Sequence, residues 1–206
     1  MEKRDIFLDT QDYKVFLKYL KDYLSPLKDK KRPSKTFSLR GSTFKGIPRQ
    51  TKNYNKKVEL LAYCLMSNHF HLLIKQNKKE VMKNFMQSLA TRYSMYFNKR
   101  YDRVGSLFQG NYKAVLITED QYLLHLSRYI HLNPSEYTSN LLKAYSSYAE
   151  YLGKRKTKWI ITNPILAFFS QSKIQELKKN NSYKDFVEKH KKNNSESLEN
   201  FILEEL

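Results

Sequence analysis

The sequence predicts an α+β fold, an antiparallel sheet with helices packed on it. Three observations predict it. Two β-capable runs, Val58 to Met66 (VELLAYCLM) and Phe70 to Lys75 (FHLLIK), are separated only by short turn chemistry. Segments with helical spacing of apolar residues, Thr10 to Leu24 and Val81 to Arg100, lie on either side of them. At 206 residues the chain is long enough for one respectable core plus an appendage, but not for two full-sized domains.

The elements follow in order. Val15, Phe16, Tyr19, Leu20 and Tyr23 recur at helical spacing after a cap near Thr10, which predicts a helix over Thr10–Leu24. Between Ser25 and Lys57 lie three of the five prolines, two of the five glycines and eleven Lys/Arg against the single acid Asp29. That is a basic, irregular excursion, long for a connection inside a compact domain, with a short strand predicted at Lys35 to Gly41 (KTFSLRG). Ser67-Asn68 then turns one buried strand into the next. Met82, Phe85, Met86, Leu89, Tyr93, Tyr96 and Phe97 make Val81–Arg100 an amphipathic helix that should lie across the sheet.

Ser106 to Ile117 (SLFQGNYKAVLI) reads as an edge-like strand with a turn or bulge at Gly110-Asn111. Thr118 to Gln121 (TEDQ) has the form of a capping box, so a helix should begin there. It should end at Asn133, because Pro134 disfavours helical backbone in the residue before it. Shorter helical signals follow at Tyr145–Leu152, Pro164–Phe169 and Ser182–His190, before a Lys/Asn-rich end. The expected division is a main domain over 1–150 and a basic, partly helical appendage over 151–206, its Lys/Asn-rich end loosely attached.

The net charge is +18, from 38 Lys+Arg and 20 Asp+Glu, far more than solubility requires, and it points to a polyanionic partner. No run of eighteen apolar residues exists and the first residues lack the apolar stretch of a secretory signal, so a cytoplasmic protein without a membrane partner is expected. The single cysteine, Cys64, excludes disulfides within the chain and cysteine-rich zinc sites.

Candidate chemistry comes from two patterns. His69 and His71 flank Phe70 at the start of a strand, and the two-residue period projects both imidazoles from one face. Such a pair is two-thirds of a facial metal site, although an isolated His-x-His strand is more often structural. On the later helix, His125, Tyr129 and Asn133 are spaced four apart and share a face. A tyrosine hydroxyl, with an ordinary pKa of about 10, needs a nearby cation before it can act as a nucleophile. Asn133 could supply an oxygen to that cation. Taken alone, Tyr129 is one of sixteen tyrosines and could equally be a packing aromatic.

The strings LMSNHFHLLIK (Leu65 to Lys75), RVGSLFQGNYKAVLI (Arg103 to Ile117) and LSRYIHLNP (Leu126 to Pro134), in this order and spacing, resemble the single-tyrosine transposases of the HUH superfamily, especially the REP-associated tyrosine transposases. The resemblance covers about Arg4 to Tyr148. It implies a ferredoxin-like palm, a Mg²⁺ or Mn²⁺ ion held by His69, His71 and Asn133, and Tyr129 as the residue that attacks DNA. The implied activity is cleavage and strand transfer of single-stranded or hairpin DNA through a 5′-phosphotyrosine. His125 is a candidate for proton transfer. Arg103, Gln109 and Lys113, together with the cluster Lys154, Arg155, Lys156, Lys158 and Trp159, are candidate DNA contacts, with solvated surface as the alternative. Relatives occur as monomers or as dimers that exchange tyrosine helices, so a homodimer stands as an alternative to a monomer. The family also implies a first strand ahead of Arg4 that this sequence does not contain, which predicts a palm with an unpaired neighbour strand. Two competing readings are an inactive DNA-hairpin-binding descendant and, more remotely, an RNA binder.

Overall fold

The structure is a computed structural model, and it describes residues 4–27, 34–47, 52–171 and 182–189. The Lys/Asn-rich end and the stretches 28–33 and 48–51 of the basic excursion lie outside the described residues. The fold is α+β, as expected. Its elements are α1 (Thr10–Leu24), a hairpin of β1 (Lys35–Leu39) and β2 (Ser42–Gly46), β3 (Val58–Leu65), β4 (Phe70–Gln76), α2 (Val81–Arg100) and α3 (Asp120–Leu132). After two short 3-10 turns come α4 (Tyr148–Tyr151), α5 (Asn163–Gln171) and α6 (Tyr183–Glu188).

β3 and β4 pair antiparallel around the Ser67-Asn68 turn, and a register shift between Leu60 and Ala62 leaves Leu61 without a partner. This bulge reverses which side chains face which way, because side chains alternate with a period of two and one extra residue changes parity. Val58 and Leu60 before it, and Tyr63 and Leu65 after it, therefore share one face with Phe70, Leu72 and Ile74, and pack against α1 and α2. Leu61, Ala62, Cys64 and Leu73 take the other face, beneath α3 and the C-terminal helices. Both faces of a two-stranded sheet are thus covered by helices, which accounts for the near-continuous apolarity of its strands.

The outer edge of β3 is closed by chain from beyond α3. Leu65 N–H donates to Tyr145 O, Ser147 N–H to Tyr63 O and Ile161 N–H to Leu60 O, each at 2.9–3.0 Å. The outer edge of β4 has no strand partner among the described residues. The expected strand over Ser106–Ile117 does not form. That segment is irregular and mostly exposed, since a strand needs a partner and none reaches it. The capping box at Thr118 is also absent, because α3 starts two residues later with Glu119 at its N-cap and no side-chain cap bond. In the basic excursion one strand was expected where two form, Arg40-Gly41 making the turn between them.

Beyond residue 150, the described helices α5 and α6 pack against α3. Ile165, Tyr183, Phe186 and Val187 are buried in the same cluster as Leu61, Ala62 and Cys64.

On the opposite side, α1 is tied to α2 by Asp12, whose side chain is fully buried. Its carboxylate accepts from Leu8 N–H, Tyr96 Oη, Tyr101 Oη and Arg100 Nη1, at 2.8–2.9 Å. Removing this acceptor strands several donors at once. Asp12→Ala should lower the thermal midpoint by roughly 5–10 °C in a calorimetric scan, whereas truncating the exposed Lys18 should move it by less than about 2 °C.

Candidate active site

β4 begins one residue after His69, and its alternation sends His69 and His71 to the face that α3 covers. The two Nε2 atoms lie 3.1 Å apart. His69 is exposed and His71 half-buried. Burial, reinforced by neighbouring His69, pulls the His71 imidazole down to about 4, so it is neutral at pH 7. Asn68 Oδ1 accepts from His69 Nδ1–H at 2.5 Å, a bond that fixes the tautomer with Nε2 unprotonated. Asn68 read in the sequence only as a turn residue, yet its position next to a candidate ligand is what an orienting partner requires.

α3 crosses this face. The Tyr129 ring sits 5.5 Å from the His71 ring, edge to face. Asn133 caps α3, and its Nδ2–H donates to Tyr129 O at 3.1 Å. His125 is held differently: its Nδ1 lies 2.6 Å from Arg128 Nη2, on the side of α3 that faces Phe186. The structure therefore brings His69, His71 and Tyr129 together and leaves His125 engaged with Arg128.

What holds α3 against β4 lies on its far side. His131 is two residues, about 200° of helix rotation, from Tyr129, and is fully buried. Its Nδ1 lies 2.7 Å from Tyr183 Oη and its Nε2 2.7 Å from Ser147 Oγ. Tyr183 Oη donates to Ser127 Oγ, and Ser127 to Leu124 O, while Ser147 Oγ accepts from Tyr63 N–H at 2.9 Å. A neutral imidazole that donates from Nδ1 and accepts at Nε2 satisfies this whole chain. It links α3 to β3 and α6. No local pattern marks His131, whose partners are 16 and 52 residues away.

The candidate DNA contacts are dispersed. Arg103 rests over Phe97, with its Nη1 buried and without a hydrogen-bond partner among the described residues. Gln109, Lys113, Lys154, Lys156 and Lys158 are exposed. Arg155 is committed to the fold: it pairs with buried Glu150 at 2.6 and 2.7 Å and donates to Ser146 O. Trp159 is half-buried and stacks on Tyr63, ring centres 6.0 Å apart.

Two nitrogens, each about 2.1 Å from one octahedral cation and at right angles, are about 3.0 Å apart. The His69/His71 pair fits that spacing. Among the described residues no group of three or more His, Cys, Asp or Glu converges, so further donors would have to be amide, water or substrate oxygens.

Residues 38–133 match the family described as Transposase IS200 like, so over that stretch the chain is similar to IS200-like transposases. His69, His71, Tyr129 and Asn133 all fall inside the matched segment, and the Lys154–Trp159 cluster falls outside it. No curated protein and no solved structure matches the chain. Among the described residues no helix is long and apolar enough to cross a membrane.

Burial pulls His131 from its ordinary 6.5 down to about 3. The unfolded chain therefore binds a proton there before the folded chain does, so its contribution is whole above pH 6.5 and is lost as pH falls toward 3. Wild-type stability, read as the urea midpoint, should fall between pH 6.5 and 4, with His131 contributing up to about 1.4 kcal/mol per pH unit. In His131→Gln the slope should be roughly halved, His71 supplying the remainder; equal slopes would mean that His131 is not the buried neutral group described.

Proposed function

We propose that the chain is a metal-dependent single-strand DNA transesterase that cuts and rejoins DNA through Tyr129. The observation that carries this reading is the 5.5 Å approach of the Tyr129 ring to the ring of His71, itself paired with His69. His69 and His71, with Asn133 as third donor, are the residues that would hold Mg²⁺ or Mn²⁺. Bound there, the cation supplies Lewis-acid polarisation of a phosphate and lowers the cost of forming phenolate.

The chain's own residues do the rest. Asn68 keeps His69 Nε2 bare, and burial keeps His71 neutral and ready to ligate. The His131 chain fixes the rotation of α3 and so aims Tyr129 at the imidazole face. Tyr129 Oη attacks phosphorus, a 3′ oxygen leaves, and a 5′-phosphotyrosine forms. The phenol loses one proton and the departing 3′ oxygen gains one. One phosphodiester replaces another, so a different 3′-OH can reverse the step and transfer the strand without ATP. Arg103, with its unpaired buried Nη1, is the strongest of the sequence-derived candidates for a phosphate contact.

The test incubates full-length protein with single-stranded DNA from the flanks of its own gene and Mn²⁺, and follows the covalent adduct on denaturing gels. Tyr129→Phe should abolish the adduct while DNA affinity stays within about twofold, because a hydroxyl is lost and the packing ring is kept. His69→Ala and His71→Ala should each slow adduct formation by about 100-fold or more. Retention of hairpin DNA with no adduct in the wild type would instead identify an inactive binding descendant.

A further inference from the structure

The β1–β2 hairpin packs little against the other described elements. Its substantial packing among the described residues is strand on strand, and nearly every residue from Ser34 to Ile47 is exposed. Pairing places Lys35, Phe37 and Leu39 on one face with Ser42, Phe44 and Gly46, and Thr36 and Ser38 on the other with Thr43 and Lys45. Phe37 and Phe44 stack with ring centres 5.6 Å apart and planes 22° from parallel. A side chain at Gly46 would meet the Phe37 ring at 3.3 Å, so the missing Cβ makes room for that ring. Phe44 is 51 % exposed and Leu39 64 % exposed, an aromatic and apolar face with no cover among the described residues.

The tip adds a second, independent sign. Arg40 and Gly41 form the two-residue turn, both with positive φ, 48° and 81°. Glycine adopts that backbone freely, whereas arginine is strained in it, and asparagine or glycine would hold the same turn more stably. The exposed Arg40 side chain gives the fold nothing evident in return, and strain retained without structural gain marks function. Lys35, Arg40 and Lys45 carry the charge of the described hairpin, which contains no acid.

We infer that this hairpin is a single-stranded DNA arm, on which unstacked bases lie against the Phe37/Phe44 face while Lys35 on that face and Arg40 at the tip neutralise the phosphates. Exposed aromatic rings accept any base, and cations on a described hairpin that carries no acid favour a polyanion over a protein partner. The inference deepens the proposed function by giving its DNA a docking element away from Tyr129, and it rests on that reading for the choice of DNA over RNA.

Binding of full-length protein to fluorescein-labelled oligo-dT of about 30 nucleotides, several times a usual single-strand site, tests the arm by fluorescence anisotropy. The joint variant Phe37→Ala/Phe44→Ala should bind about tenfold or more weakly, whereas Phe37→Tyr/Phe44→Tyr should stay within about threefold of wild type. Arg40→Asn should also weaken binding and flatten the logarithmic salt dependence by about 0.7, while its thermal midpoint is unchanged or raised. That combination separates a contact from a merely structural arginine. Unchanged oligo-dT affinity in the alanine variant overturns the proposal. So does a shift in sedimentation alone, which would mean that a second copy covers the face, and so does tighter binding of oligo-rU or of a duplex of equal length. The Tyr129 adduct on the gene's own flanking DNA is scored separately: an adduct with an indifferent hairpin sinks the arm and spares the active site, and a hairpin-dependent affinity with no adduct does the reverse.

Discussion

A buried imidazole on the back of α3 decides what its front can do. His131 reaches both β3, through Ser147, and α6, through Tyr183. A helix rotates 100° per residue, so a slip of one position would swing Tyr129 well away from His71. The three hydrogen-bonding groups around His131 are buried, and leaving any of them unpaired costs about 1–3 kcal/mol. The rotation that places Tyr129 beside His71 is thus set by polar groups as well as by the apolar stripe of Leu124 and Ile130, which would tolerate small displacements.

The same logic extends to the sheet. The bulge at Leu61 lets one strand feed two cores, with Leu60 facing α1 and α2 and Ala62 facing α3. Without it, Tyr63 and Leu65 would point into the layer that receives the tyrosine helix, and the bond from Tyr63 N–H to Ser147 would be lost. The C-terminal helices belong to this architecture as well, since α6 supplies both Tyr183 and the Phe186 ring under Arg128. Residues beyond the family-matched segment therefore brace the candidate site inside it.

Local patterns were legible in the sequence. Helices Thr10–Leu24 and Val81–Arg100 have the bounds that apolar periodicity dictates, because each buries a broad stripe, and Asp9 also caps the first. The turn at Ser67-Asn68 and the shared face of His69 and His71 follow from strand geometry alone. Pairing and long-range polar contacts were not legible. Ser106–Ile117 has the composition of a strand, but composition cannot supply a neighbour. Thr118 has a capping hydroxyl, but the chain enters α3 too late to use it. Arg155 and Trp159 look like a nucleic-acid patch in one dimension and are claimed by Glu150 and Tyr63 in three. His131 is invisible in advance because its value lies wholly in partners that the fold brings from elsewhere.

The central claim is that the phenol beside the paired imidazoles is the atom that takes up DNA. Digesting the covalent adduct with protease and nuclease, then sequencing the nucleotide-bearing peptide by tandem mass spectrometry, tests it directly. The account predicts the added mass on Tyr129, joined through a 5′ phosphate. The same mass on another of the sixteen tyrosines, or a 3′-phosphate linkage, would contradict it.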